Sequence, residues 1–263
     1  MTFEENGIVT TSYRCTQSDE EIALLASERT GMQYVRRGSM SYENLMKEYD
    51  VDVILVAKKQ QLILETMAGE FFFHPNMSHI RIKNLKRGMK DHMAEAMDLK
   101  EGSKVLDCTL GLGADAIVES YIAGSTGSVT ALEHSAAIEA VVSYGLSHYP
   151  AKSKSTLEAM RRIKVIHVDY MDYMRHQSDK AFDVVYFDPM FRYPLMKSTQ
   201  LAPLRVTADH APVSIEAVRE AMRIGRRVVL KENARSLEFE RLGFSNFIGG
   251  KYSNIRFGFE SAL

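Results

Sequence analysis

The chain has 263 residues, with 34 acidic and 33 basic side chains and a formal net charge of −1, which excludes a broadly basic nucleic-acid coat but not a local basic patch. Its 45% hydrophobic and 25% charged residues are those of a soluble globular protein, and the longest apolar runs, Val53–Ala57 and Val184–Phe187, are far too short to span a membrane. Two cysteines, Cys15 and Cys108, make neither a disulfide framework nor a metal cluster; together with an acidic N-terminus that lacks a signal-peptide core they predict a reduced, cytoplasmic setting.

Residues 1–86 read as a small N-terminal α/β region and 87–263 as a larger domain. Ile8–Ser12 is a predicted strand. Ser18-Asp-Glu-Glu21 fits a capping box, followed by Ile22, Leu25, Ala26 and Arg29 at helical spacing and Gly31 at the stop. Tyr42, Leu45, Met46 and Tyr49 predict a second helix. Val53–Ala57 and Leu62–Glu65 predict strands, and Phe71–Phe73 is a third apolar run. The basic stretch Arg81, Lys83, Lys86, Arg87 and Lys90 reads equally as a solvated connector or as a phosphate-contacting edge. A helix is expected over about 88–97.

From Val105 onward strands and helices alternate. Strands are predicted at Val105–Asp107, Ser128–Leu132, Lys164–Val168, Phe182–Phe187 and Arg227–Lys231. Helices are predicted at 114–123, 135–146, 157–163 and 212–224. Asn246–Gly249 and Ile255–Glu260 predict a terminal hairpin. This order implies an α/β fold with a doubly wound, Rossmann-like, mostly parallel sheet and one antiparallel strand from the hairpin.

Four of these strands run into an acid: Asp107, Glu133, Asp169 and Asp188. In an open α/β sheet, ligands bind beyond the carboxyl ends of the strands, so four such acids in series mark a site. After Asp107, Gly111 and Gly113 allow a tight turn and close approach of a ligand to the backbone. Glu133, 22 residues beyond Gly111, suits the two hydroxyls of a ribose. Asp169 suits an adenine amino group, with Tyr170 against the ring. Asp107 and Asp115 flank the glycine turn and would repel a pyrophosphate, so the turn suits a cationic ligand. That favours S-adenosylmethionine over NAD. The spacing Gly111-x-Gly113-x-x-Ala116 also fits the dinucleotide fingerprint, so an NAD-dependent oxidoreductase is the alternative. His74, His79, His134 and His167 lack ligand spacing, and no metal site is expected.

Asp188-Pro189-Met190-Phe191 resembles the (Asp/Asn)-Pro-Pro-(Tyr/Phe) motif of methyltransferases acting on amino groups conjugated to a ring or carbonyl. Asp188 and the Pro189 carbonyl can accept from the amine, and Phe191 can stack on a planar base. Lys231 closes the fifth strand, where a place in the same crevice and a structural role are both open. With Leu106–Asp115, Leu132–His134 and Val165–Asp169, the stretch Val185–Phe191 resembles the RsmJ-type family. These are S-adenosylmethionine-dependent methyltransferases of guanine N2 in small-subunit ribosomal RNA. The resemblance covers about 53–235 and includes Met190, where most amino methyltransferases carry a second proline. It implies cofactor contacts at Ala114, Asp115, Glu133, His134, Asp169, Tyr170 and Asp188, and ribosomal RNA or the small subunit as partner. Adenine N6 or a protein amide is the alternative acceptor. Arg192 first, then Lys197, Arg161, Arg162, Arg226 and Arg227, are candidate phosphate contacts.

Overall fold

The computed structural model describes residues 6–189, 211–249 and 253–262. Among these, residues 6–74 with 135–149 form one compact unit, and 75–134 with 150–189 and the described residues beyond 210 form a second.

The first unit is built on a sheet of order β2-β1-β3-β4-β5: β1 (Gly7–Thr11), β2 (Gln33–Tyr34), β3 (Val53–Lys58), β4 (Gln61–Thr66) and β5 (Gly69–Phe72). β1 is parallel to β2 and β3, and β3, β4 and β5 are antiparallel neighbours. Helices α1 (Gln17–Thr30) and α2 (Tyr42–Tyr49) connect the parallel strands. The capping box lies two residues before the expected one. Thr16 Oγ1 accepts the Asp19 N–H at 3.2 Å, and the Asp19 carboxylate accepts the Thr16 N–H at 2.9 Å. A tertiary contact favours this frame: Asp19 Oδ1 also accepts the Gln60 N–H at 2.8 Å. Lys59 and Gln60, with φ of 53° and 60°, form the two-residue turn between β3 and β4. The buried face of α1 is Asp19, Ile22, Ala23 and Ala26, whereas Leu25, expected on it, is 63% exposed. The helix Ala136–His148 also belongs to this unit. A Cβ on its Gly145 would stand 2.2 Å from Cγ of Phe73, so only glycine admits that ring.

The second unit contains α3 (Asn76–Leu85), α4 (His92–Met97), β6 (Lys104–Asp107), α5 (Ala114–Ala123) and β7 (Ser128–Glu133). After Ala136–His148, counted as α6, come α7 (Lys154–Arg162), β8 (Ile163–His167), α8 (Tyr170–Arg175) and β9 (Phe182–Phe187). Then follow α9 (Ile215–Ile224), β10 (Gly225–Asn233), α10 (Glu238–Arg241), β11 (Asn246–Ile248) and β12 (Ile255–Ser261). The sheet order is β11-β12-β10-β9-β6-β7-β8. The five strands β8, β7, β6, β9 and β10 are parallel, and β12 is antiparallel to both β10 and β11. This is the expected doubly wound sheet, with the terminal hairpin supplying the antiparallel strand. Leu106, Leu132, Val185, Phe187, Val228 and Leu230 form its buried centre.

Two local differences matter for the site. The helix expected over 88–97 begins at His92, because the Asp91 carboxylate accepts the Ala94 N–H at 3.2 Å and fixes the start. The basic run therefore falls on the second half of α3 and the turn after it. Helix α8 is a short element that the sequence pattern does not predict.

Candidate active site

The strand order reverses between β6 and β9, which are hydrogen-bonded neighbours with Asp107 opposite Tyr186. This is the switch point at which open α/β sheets bind ligands. The turn after β6 ties three strand ends together. Cys108 N–H donates to Tyr186 O at 2.9 Å, Leu110 N–H to Leu132 O at 2.9 Å, and Gly111 N–H to Glu133 Oε2 at 3.0 Å. Thr109 Oγ1 accepts the Asp188 N–H at 2.6 Å. Gly111 and Gly113 adopt φ of 48° and 70°, and Gly113 leads into α5. Among the described residues the nearest atom to a Cβ built on Gly111 is 3.8 Å away, so none of their side chains fills the space over the turn.

Around this turn lies a chain of alternating charges. Arg81, from α3, donates to Asp91 twice, at 2.7 and 2.8 Å, and also to Asp115 Oδ1. Asp115, in the first turn of α5, takes Lys231 Nζ at 2.8 Å and the Tyr186 hydroxyl at 2.9 Å on its Oδ2. Lys231 Nζ reaches onward to Asp188 Oδ2 at 2.6 Å. Burial alone would raise the Asp115 carboxyl, but Lys231 and Arg81 hold it well below the usual carboxylate range. Asp188 is pushed up to about 6 by burial, against the pull of Lys231 and with Asp115 alongside.

Asp107 differs from the other acids. Its Oδ1 accepts the Thr109 N–H at 2.9 Å, but Oδ2 is buried and has no hydrogen-bond partner among the described residues. Burial first, and then the carboxylates of Asp115, Asp188 and Glu133, push its carboxyl up to about 8, against the Thr109 hydrogen bond. A cationic donor brought to Oδ2 would satisfy the orphaned atom and restore its charge. The set of carboxylate acceptors thus fits the ammonium and sulfonium of S-adenosylmethionine and does not fit a pyrophosphate.

The structure brings Asp107, Gly111, Gly113, Asp115, Glu133 and Asp188 together around this turn. Asp169, expected to meet an adenine, also has a structural task. Its Oδ1 caps α8, accepting from the Met171 and Asp172 N–H groups at 2.8 and 3.1 Å, and its Oδ2 stands 4.0 Å from Nδ1 of His134. Tyr170 packs edge-on against Phe187 with ring centroids 5.6 Å apart. Ala114 is the first residue of α5. Met190, Phe191, Arg192 and Lys197 lie outside the described residues.

The sequence pattern does not mark Thr109, Tyr186 or Arg81 as residues of this site. Arg81, in the basic run that reads equally as a solvated connector or a phosphate-contacting edge, instead lies between two carboxylates with its side chain 21% exposed. Two other candidate phosphate contacts are also engaged internally: Arg162 donates to Ser120 O at 2.8 Å and Arg227 to Ala96 O at 2.7 Å.

Residues 39–202 match the family described as "Putative SAM-dependent methyltransferase". The chain belongs to this methyltransferase family. It is 37% identical over 239 residues to the uncharacterized protein YpiP of Bacillus subtilis, an alignment that spans 90% of this chain and 93% of that one. The solved structure of the SAM-dependent methyltransferase NGO1261 from Neisseria gonorrhoeae aligns with a TM-score of 0.67 at 20% identity, covering 98% of this chain and 96% of that one. That likeness shows a shared class I methyltransferase fold. The protein is therefore a methyltransferase whose cofactor is S-adenosylmethionine, which sets the NAD-dependent alternative aside. Among the described residues there is no group of three or more His, Cys, Asp or Glu suited to a metal, and no helix long and apolar enough to cross a membrane.

Proposed function

We propose that this methyltransferase modifies an exocyclic base amine of RNA, specifically guanine N2 of small-subunit ribosomal RNA, as RsmJ-type enzymes do. The observation that carries the reading is Asp188-Pro189 at the end of β9. The Asp188 backbone is tied to Thr109 and its carboxylate to Lys231, beside the open turn at Gly111.

On this reading Asp107 receives the cofactor's amino group, and Gly111, Gly113, Ala114 and Asp115 line the turn beneath it. Glu133 serves the ribose with His134 beside it, and Asp169 and Tyr170 serve the adenine. The cofactor supplies a methyl group made electrophilic by its sulfonium. The chain's own residues position the acceptor. Asp188 and the Pro189 carbonyl accept the amine N–H groups and so aim the nitrogen lone pair, while Phe191 stacks on the base. With its carboxyl near neutrality, Asp188 is also suited to take the proton that the amine loses on methylation. Positioning within near-attack distance is the main demand of an in-line displacement.

A polyanionic substrate is supported by the surface of α3 and α7. Residues 76–90 hold Lys83, Lys86, Arg87 and Lys90 besides Arg81 and contain no acid. Lys86 Nζ donates to Ser155 Oγ at 2.6 Å and so joins this stretch to α7, which adds Lys154 and the exposed Arg161.

The test is mass-spectrometric comparison of nucleosides in small-subunit ribosomal RNA from strains with and without the gene. N2-methylguanosine should fall on deletion and return with the wild-type gene but not with Asp188→Ala. An unchanged level rejects this substrate. A change in N6-methyladenosine or in a methylated protein amide would instead transfer the same chemistry to that acceptor.

A further inference from the structure

We infer that Lys231 is the positioning residue of the reaction: its ammonium holds Oδ2 of Asp188 and keeps that carboxylate an ionised acceptor, leaving Oδ1 to the incoming amine. The inference rests on the reading of Asp188 as the amine's acceptor.

The placement follows from the sheet. β10 is parallel to β9 with Leu230 opposite Phe187, so the next residue on each strand, Lys231 and Asp188, emerge side by side at the carboxyl edge. The Lys231 side chain is only 17% exposed, and a desolvated ammonium is tolerated only when carboxylates surround it. It has two, Asp188 at 2.6 Å and Asp115 at 2.8 Å. Asp115 does not depend on Lys231 alone, because Arg81 and the Tyr186 hydroxyl also donate to it. Lys231 is thereby left to serve Asp188.

Among the described residues, the groups that act on Asp188 come from four elements. They are Lys231 on β10, Asp115 on α5, Asp107 at the end of β6, and Tyr186 on its own strand, β9. Among these only Lys231 carries a positive charge. Burial and the neighbouring acids all favour a protonated Asp188, and Lys231 opposes them. A protonated Asp188 would offer its O–H toward the amine nitrogen and compete for the lone pair that must attack the methyl. Without Lys231 the residue would present the wrong polarity at neutral pH.

The test follows the carboxyl directly. In protein labelled with 13C at aspartate carboxyls, the Asp188 resonance is assigned by its loss in Asp188→Asn and titrated with pH. Lys231→Met should move its midpoint upward by about one to three pH units. Lys231→Arg should leave it near the wild-type value. Lys231→Gln, which also removes the charge but keeps a polar end in the buried site, should move it upward in the same way and reads the same link should Lys231→Met not fold. A midpoint unmoved in Lys231→Met, or in Lys231→Gln if that is the variant available, overturns the inference. A second arm measures methyl transfer to small-subunit ribosomal RNA taken from the deletion strain. The acid limb of the pH–rate profile should shift in Lys231→Met by the same interval. If the wild type methylates no RNA at any pH, the proposed substrate is lost, while the carboxyl titration still decides the role of Lys231.

Discussion

Gly111 separates a structural from a ligand-binding role for the turn after β6. Its φ of 48° is left-handed, so an alanine there bears about 1–2 kcal/mol of backbone strain. Reduced freedom of the unfolded chain returns about 0.4–1 kcal/mol of this. Sterics among the described residues add nothing, because the nearest atom to the new Cβ is 3.8 Å away. Gly111→Ala should therefore destabilise the fold by only about 1 kcal/mol, read as a small shift in the urea midpoint. Cofactor affinity should fall by at least about tenfold, or 1.4 kcal/mol, because the methyl occupies the space that the proposed ligand needs. Gly111→Asn sharpens the comparison. Asparagine tolerates the left-handed region better than alanine, yet its side chain is larger. Stability should then rank Gly, Asn, Ala, and affinity for S-adenosylmethionine by calorimetry should rank Gly, Ala, Asn. A purely structural glycine cannot produce that crossover. Unchanged affinity in both variants would remove the turn as the cofactor's seat.

Asp188→Asn should slow methyl transfer by about 100-fold or more while leaving S-adenosylmethionine affinity within a few-fold of wild type. Loss of cofactor binding with the turnover rate preserved would reverse that assignment. In wild type the rate should climb as pH rises through about 6, where Asp188 ionises, and a flat profile would argue against a carboxylate acceptor. Gly145→Ala forces a Cβ to within 2.2 Å of the buried Phe73 ring and should cost about 1–3 kcal/mol, measured as a lowered Tm. Replacing Lys83 and Arg87 together by glutamate should weaken RNA binding at low salt. It should also flatten the plot of log affinity against log salt by about 0.7–0.9 for each phosphate that is no longer neutralised, and an unaltered slope would place the RNA elsewhere.

The parts of the site legible in the sequence are local. An acid at the end of four of the strands and two glycines after the first need only a few residues of context, and the alternation of strands and helices specifies the sheet. Choices between locally equivalent options, and pairings across long separations, are not legible in that way. Thr16-x-x-Asp19 and Ser18-x-x-Glu21 are both acceptable helix starts, and Asp19 prevails with a contact to Gln60, 41 residues away. Helix α3 starts after Pro75 with no side-chain cap, so nothing in its sequence announces it. The six-residue α8 depends on a cap from Asp169, an acid that the strand-end pattern assigns to a ligand. Lys231 lies 116 residues from Asp115 and 43 from Asp188, and no single sequence encodes those pairings. Arg81 is hidden for the same reason. It stands in a basic run, and only the fold places Asp91 and Asp115 on either side of it.

The acids of the site are therefore not equivalent, and the difference has a measurable consequence at Asp107. Asp115 is satisfied by three donors, Glu133 accepts from Gly111, and Asp169 caps a helix. Asp107 alone in this group keeps a buried oxygen without a partner among the described residues, a defect that costs about 1–3 kcal/mol. Its carboxyl, pushed up to about 8, is mostly protonated at pH 7. If the cofactor's ammonium docks on this oxygen, the opposite charge lowers the carboxyl's pKa and the proton leaves. Binding at pH 7 should then release close to one proton per site, and affinity should tighten as pH rises toward about 8. Beyond that it should weaken, because the cofactor's own amino group loses its charge around the ordinary α-amino pKa of about 8. Calorimetry in buffers of different ionisation enthalpy counts the proton directly, and Asp107→Asn should abolish the release whether or not methyl transfer survives. A binding enthalpy at pH 7 that is the same in every buffer would mean that Asp107 does not ionise on binding. The orphaned oxygen would then need an explanation other than the cofactor.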